Sequence, residues 1–176
     1  VGVVEKVISA LFIVPSSMLA TVSALSAQNF GAGKEKRATD TLRYATVITT
    51  IYGMIVAVLI QFIAENVVGI FTSDTTVVTM GSAYIRSYIW DCIFAGIHFS
   101  FSGYFAACGK SYIGFLHNII SITFVRVPGS YLASKYFTDT LYPMGLAAPA
   151  GSLVSVAICV TAFILLKRKS RVAQTA

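Results

Sequence analysis

The chain has 176 residues, of which 56% are hydrophobic and only 11% charged, with a mean hydropathy of +0.79. A soluble domain carries roughly a quarter charged residues, so this composition excludes an ordinary water-soluble fold and places the chain in lipid. The net charge of +6 does not indicate nucleic acid, because the bases lie between long apolar runs and form no stripe with interleaved aromatics.

A membrane helix needs about 20 mostly apolar residues. Five stretches meet this: roughly 7–27, 42–64, 83–107, 112–134 and 145–166. The first holds Pro15 mid-span, where a bend is expected, and a small-residue face at Ala20, Ala24 and Ala27 suited to close helix contact. Between the first two spans lies Gln28–Arg43, with Gln28, Asn29, Gly31, Gly33, Lys34, Lys36, Arg37 and Arg43. The two glycines are expected to let the backbone turn there. A polar bend, Glu65–Ser82, precedes the third span, and a tight Cys108-Gly109-Lys110-Ser111 turn follows it. The fourth span carries His117, Asn118, Arg126 and Pro128. The fifth contains Pro149 and ends at Lys167-Arg168-Lys169. Tyr84, Tyr88 and Trp90 read as an interfacial aromatic belt.

Charge orients these spans. If they alternate, nine bases face Glu35 and Asp40 on one side, a balance of +7. Lys6, Arg86 and Lys135 face Glu5, Glu65, Asp74 and Asp139 on the other, a balance of −1. The positive-inside rule then predicts that the Gln28–Arg43 loop, the Gly109 turn and the C-terminus are cytoplasmic. Cys92, Cys108 and Cys159 all fall in apolar runs without paired spacing, and read as buried packing residues with no disulfide or metal role. Gly31-Ala32-Gly33-Lys34 is no phosphate loop: Gln28 stands where the first glycine is needed, and Glu35 replaces the Ser or Thr after the lysine. No metal-ligand spacing or nucleophile motif occurs, so the sequence points away from an enzyme and from an organic or metal cofactor.

Polar groups at membrane depth remain. These are costly, and they mark function or a buried partner. Asp91 and His98, seven apart, share a face of the third span. Two helices folded about a tight turn bring together residues whose numbers sum to a nearly constant value. Asp91 and Arg126 sum to 217, and His98 and His117 to 215. At about 1.5 Å rise per residue, both pairs lie at matched depth. For Asp91–Arg126 a packing ion pair and a coupling-ion role both stand. For the histidines a hydrogen-bonded packing role is favoured over a proton relay. Pro128 removes a backbone donor and is expected to free the carbonyl of Phe124 and bend the helix beside Arg126. Pro15 and Pro149 act similarly or simply set curvature.

The motif A-Q-N-x-G-A-G-x-x-x-R-A, from Ala27, resembles the loop after the second helix of each half of the MATE transporters, the multidrug and toxic compound extrusion family. The chain also carries Y-I-R-S-Y-I-W-D from Tyr84, G-Y-F-A-A-C-G-K-S from Gly103, F-V-R-V-P-G-S-Y-L from Phe124 and G-L-A-A-P-A-G-S-L-V-S from Gly145. Together these are similar to the C-terminal lobe of a bacterial MATE transporter. The resemblance implies an all-α integral membrane fold in which residues 1–176 form a partial lobe, helices eight to twelve of a twelve-helix protein. It implies that helix seven and the N-terminal lobe are missing from this chain, which begins at Val1 without an initiator Met. It implies a multi-pass protein of the bacterial cytoplasmic membrane. Its function would be to export organic cations or drugs by alternating access in exchange for sodium ions or protons, with the N-terminal lobe, the substrate and the bilayer as partners and no nucleic acid. Some members place a cation-site acid in helix ten, which the third span would be. Asp91 is on that span but, counted back from Gly109, lies about two turns further out, and the other acid of such a site is expected on helix seven. The alternatives are a lipid-linked precursor flippase of the same superfamily and a non-transporting membrane scaffold.

Overall fold

The computed structural model describes residues 2–175; the side chains of Val3 and of residues 169–175, including Lys169 and Arg171 of the expected basic C-terminus, lie outside what it describes. The described chain is helical throughout, with helices α1 (Gly2–Leu11), α2 (Ile13–Gly31), α3 (Glu35–Gly69), α4 (Thr75–Tyr88), α5 (Asp91–Ala107), α6 (Ser111–Ser121), α7 (Val127–Tyr136) and α8 (Tyr142–Thr175). A single wide π turn, Ile122–Arg126, joins α6 to α7. Three stretches are continuous and apolar enough to cross a membrane: Val4–Gly31, Glu35–Gly69 and Tyr142–Arg168. Where the sequence suggests a third and a fourth span, the described residues instead form interrupted helices, α4–α5 and α6–α7, none of them long and apolar enough alone to cross a membrane.

The interruptions correct the expected boundaries. The third span starts at Thr75 instead of residue 83, because Asp74 caps α4: its Oδ1 accepts hydrogen bonds from the backbone N–H of Thr76 (2.9 Å) and Val77 (3.3 Å). That span is then broken at Ile89–Trp90. There Cys92 N–H bonds to the Ile89 carbonyl and Ile93 N–H to that of Trp90, a tightened i to i−3 step. Near Pro128 the chain instead loosens: Val127 N–H reaches back to the Ile122 carbonyl, the wider i to i−5 pattern. The bend expected at Pro128 therefore takes the form of this π turn. At Pro15, α1 and α2 meet around Phe12. Pro15 has no N–H for the Leu11 carbonyl four residues back, and the Tyr52 hydroxyl of α3 donates to that carbonyl at 3.0 Å. Pro149 behaves differently, since α8 runs through it unbroken.

Both tight turns end a helix in the same way. Gly33 and Gly109 take φ of 69° and 70°. Lys34 N–H then bonds to the Asn29 carbonyl, and Lys110 N–H to that of Phe105, as in Schellman caps. Gly31 corrects the sequence reading: it is the last residue of α2, and a Cβ there would meet nothing within 4 Å. Gly33 alone makes the turn.

The bundle is organised about α5, which packs against α2, α3, α6 and α8. Its approach to α2 is close at Gly103, where a Cβ would sit 2.5 Å from the Leu19 carbonyl oxygen. Between helices in lipid the attraction is close packing, and small residues permit it. The small-residue face expected on α2 is not the one used: Ala20, Ala24 and Ala27 are exposed, while Pro15, Val22 and Ser26 are buried. The smallness comes from the opposing glycine instead. Large apolar side chains such as Ile48, Ile51, Ile55, Leu59 and Phe62 of α3 face outward, as expected where the solvent is lipid.

Two apolar clusters fill the interior. One, at the α3–α4 end, holds Val4, Val7, Ile8, Ile60, Val68, Ile85, Ile89 and Cys92; the other, toward the α5–α6 turn, holds Val22, Leu42, Ala45, Phe101, Phe105, Ile113 and Cys159. Tyr84 belongs to the first cluster at 7% exposure, with Tyr88 half-buried beside it, so of the expected belt only Trp90 lies at the surface. Cys92 and Cys159 are buried as free thiols, but Cys108 is only half-buried, because it lies at the end of α5.

Candidate functional site

Between the two clusters lies a polar layer. Asp91 is 1% exposed and opens α5, directly after the tightened step. Arg126 closes the π turn. The Arg126 Nη2 lies 3.2 Å from Asp91 Oδ2, 3.4 Å from Oδ1 and 2.6 Å from Ser152 Oγ of α8. Both partners of the ion pair thus stand at a backbone irregularity, one tight and one wide. The guanidinium side chain keeps 28% exposure while the carboxylate is enclosed. Holding an unpaired charge there is costly, so each partner stabilises the other in place.

Arg126 reaches Asp91 by lying across Gly151. A Cβ at that position would come within 2.5 Å of Arg126 Cγ and 2.8 Å of Ser121 Oγ. The same stretch of α8 anchors α6, since Ser121 Oγ donates to the Gly151 carbonyl at 2.6 Å. Ser152 Oγ continues the network to His98 Nε2 at 3.4 Å. His98 and His117 lie edge to face with ring centroids 5.4 Å apart, and His117 Nε2 is 2.9 Å from Ser102 Oγ. The structure therefore brings Asp91, Arg126, His98 and His117 into one layer. Asn118 does not join it; it is exposed, and shares with both histidines the lining of a cavity beside α6.

The glycine-loop residues lie elsewhere. Asn29 and Arg37 line a shallow surface recess with Asp40, Thr41 and Tyr44, and Gln28, Gly31 and Gly33 are exposed. Asn29 turns its side-chain amide inward to its own helix, onto the Leu25 carbonyl at 2.8 Å. A second recess brings Phe30 and Glu35, Cys108 and Lys110, and Leu166 and Lys167 together. The three base-bearing connections expected on one side thus meet at one end of the bundle. Arg86 and Glu65, paired at 3.2 Å, belong to the α3–α4 end.

The α8 contributors, Gly151, Ser152 and Ser155, whose Oγ donates to the His117 carbonyl at 3.4 Å, were not among the expected site residues. The depth rule used for the first hairpin would have found one of them. Applied about the loop between α7 and α8, it levels Arg126 with Ser152 and Gly129 with Ala147, and the second pair also packs closely.

An all-α, multi-pass membrane protein with an ionic and imidazole layer buried in its helical bundle is the class that these features define. Residues 1–132 match the MatE family, and the chain belongs to it. Over 151 residues it is 28% identical to Protein DETOXIFICATION 14 of Arabidopsis thaliana, a match covering 85% of this chain and 31% of that protein. The chain thus spans about a third of the length of this relative. Because the relative is a plant protein, the match lends no weight to the expected bacterial source. No solved structure matches the chain significantly.

Proposed function

We propose that this chain is part of the C-terminal lobe of a cation-coupled MATE antiporter that exports organic cations by alternating access. Its five membrane passages, two of them interrupted, correspond on this reading to helices eight to twelve of twelve. The N-terminal lobe and helix seven are the partners that complete the path, and sodium ions or protons drive it. The basic loop end and the C-terminus face the cytoplasm. One observation carries the reading: Asp91 is enclosed at the break between α4 and α5, held by a cation that stands at a second break. Irregular backbone at membrane depth is tolerated where it lines a site, and broken helices recur where transporters bind ions.

The test is ion-driven efflux of a fluorescent organic cation from proteoliposomes of the full-length parent, under an imposed sodium or proton gradient. Asp91→Asn is expected to fold and to lose the dependence of efflux on the driving ion. Unchanged ion dependence in the folded variant would reduce Asp91 to a packing role.

A further inference from the structure

Ser121 and Arg126 stand five residues apart, yet both reach the same point on α8. A Cβ on Gly151 would meet Arg126 Cγ at 2.5 Å and Ser121 Oγ at 2.8 Å. An α-helix cannot do this, because at about 100° per residue five steps leave two side chains about 140° apart. The π turn between them takes up one extra residue. Arg126 then stands where the fourth residue after Ser121 would, about 40° away. That extra residue is what turns the guanidinium onto Asp91.

Little else holds the turn. None of its residues is buried, and Ile122 and Phe124 are 43% and 70% exposed. Beyond it α7 buries only Ala133. The backbone does not decide the register either. Pro128 has no N–H, and it stands at i+5 from Thr123 and at i+4 from Phe124, so the wide pattern and the α pattern each lose one bond there. The side chain of Arg126 fixes the register, and its grip is narrow. Nη2 alone serves both Asp91 oxygens and Ser152 Oγ, three acceptors for two protons. Nε is buried without a partner. A guanidinium that meets a carboxylate through two nitrogens holds it more firmly.

We propose that the π turn is a two-register joint, latched by the contact of Arg126 with Asp91. When the latch opens, the extra residue passes beyond Pro128 into α7, and Ile122–Arg126 takes up the α pattern of α6. Arg126 then swings by about 100°, away from Gly151, and Asp91 is left free to take another cation. The anchors of α6 on α8 are kept, since Ser121 and His117 lie before the joint. The role of this release in transport rests on the antiporter reading; the two registers do not.

Hydrogen exchange of the detergent-solubilised full-length parent, read by mass spectrometry, tests the joint. Residues 122–127 should exchange about tenfold faster than residues 115–121 of α6. Asp91→Asn should speed the first stretch by about tenfold more and leave the second unchanged. Equal protection of the two stretches, or no response to Asp91→Asn, would overturn the joint. A variant lacking Phe124 has no extra residue, so a plain helix keeps Arg126 on the Asp91 side at all times. It should be monodisperse, exchange slowly over the former turn and show no ion-driven efflux, whereas Phe124→Ala, which keeps the length, should match the parent. Normal efflux from the folded deletion variant would also overturn the proposal; if that variant does not fold, the two exchange comparisons decide. A parent without ion-driven efflux would remove the antiporter reading, and the exchange results would still judge the joint.

Discussion

Gly151 shows how little room the ionic layer has. Changing it to Ala places a methyl group where Arg126 Cγ now lies, and that side chain cannot move without releasing Asp91 or Ser152. Gly151→Ala is expected to lower thermal stability by an amount close to that of Arg126→Gln, for which removal of one partner of a buried pair sets about 3–5 kcal/mol. Combining Asp91→Asn with Arg126→Gln should cost less than the two single changes added together, since neither charge is then left alone. Additive losses in thermal unfolding of the detergent-solubilised parent would show that the two groups do not interact. At this scale the sequence was informative wherever a charge stood in an apolar run, because an intramembrane charge demands a partner and depth restricts who can supply it. It was silent about Gly151, since a glycine in a membrane helix is common and carries no demand visible without the neighbouring helix, whereas Ser152 was within reach of the depth rule once applied about the last loop.

Among the helical elements, the α1–α2 junction and the α4 start are the most readily tested. The Tyr52 hydroxyl serves a carbonyl that Pro15 leaves unbonded. Tyr52→Phe should cost about 1–3 kcal/mol, the range for a buried group stripped of its partner. In a Pro15→Ala background, where the helix supplies its own donor, the same change should cost much less. Equal costs in both backgrounds would disconnect Tyr52 from the proline. Asp74→Ala should cost about 0.5–2 kcal/mol by loss of the cap, read as earlier unfolding. Phe71-Thr72-Ser73-Asp74-Thr75 carries a legible N-cap signal, yet hydropathy alone begins the span at residue 83, because Thr75–Ser82 is too mixed to score as apolar. The break before Asp91 has no such signal. No proline or glycine stands at Ile89–Trp90, and the tightened step there emerges only when α4 and α5 pack.

For the whole molecule, the charge pattern makes a definite claim about sidedness. The loop bases, the Lys110 turn and Lys167 share one end, and a single cysteine at Lys36 should label from the side opposite to one at Asp74 when an impermeant maleimide is used. Labelling of both from outside would reject the topology. Residues 1–176 alone in vesicles should give no saturable ion-driven flux, because on the proposed reading a second lobe and one helix complete the path. The lipid-exposed exterior and the all-helical class were readable from composition, since both follow from the cost of unsatisfied backbone in hydrocarbon. The inward turn of Tyr84 was not, because an aromatic side chain near a span boundary suits an interface or a core equally well.

The division of the interior into two clusters also implies a schedule. Every buried member of the cluster at the α3–α4 end comes from residues 4–92, whereas its counterpart needs Cys159 and the polar layer needs Ser152. As the chain emerges from the ribosome, the buried members of the first cluster are all present before Cys159 is made, although Leu141 and Met144 later pack onto that cluster as well. During that interval Arg126 has Asp91 but not Ser152, and the layer is held by the ion pair alone. A nascent chain arrested after Tyr136 should already shield Cys92 from an alkylating reagent; α8, made last, then locks in place a charge pair that formed before it.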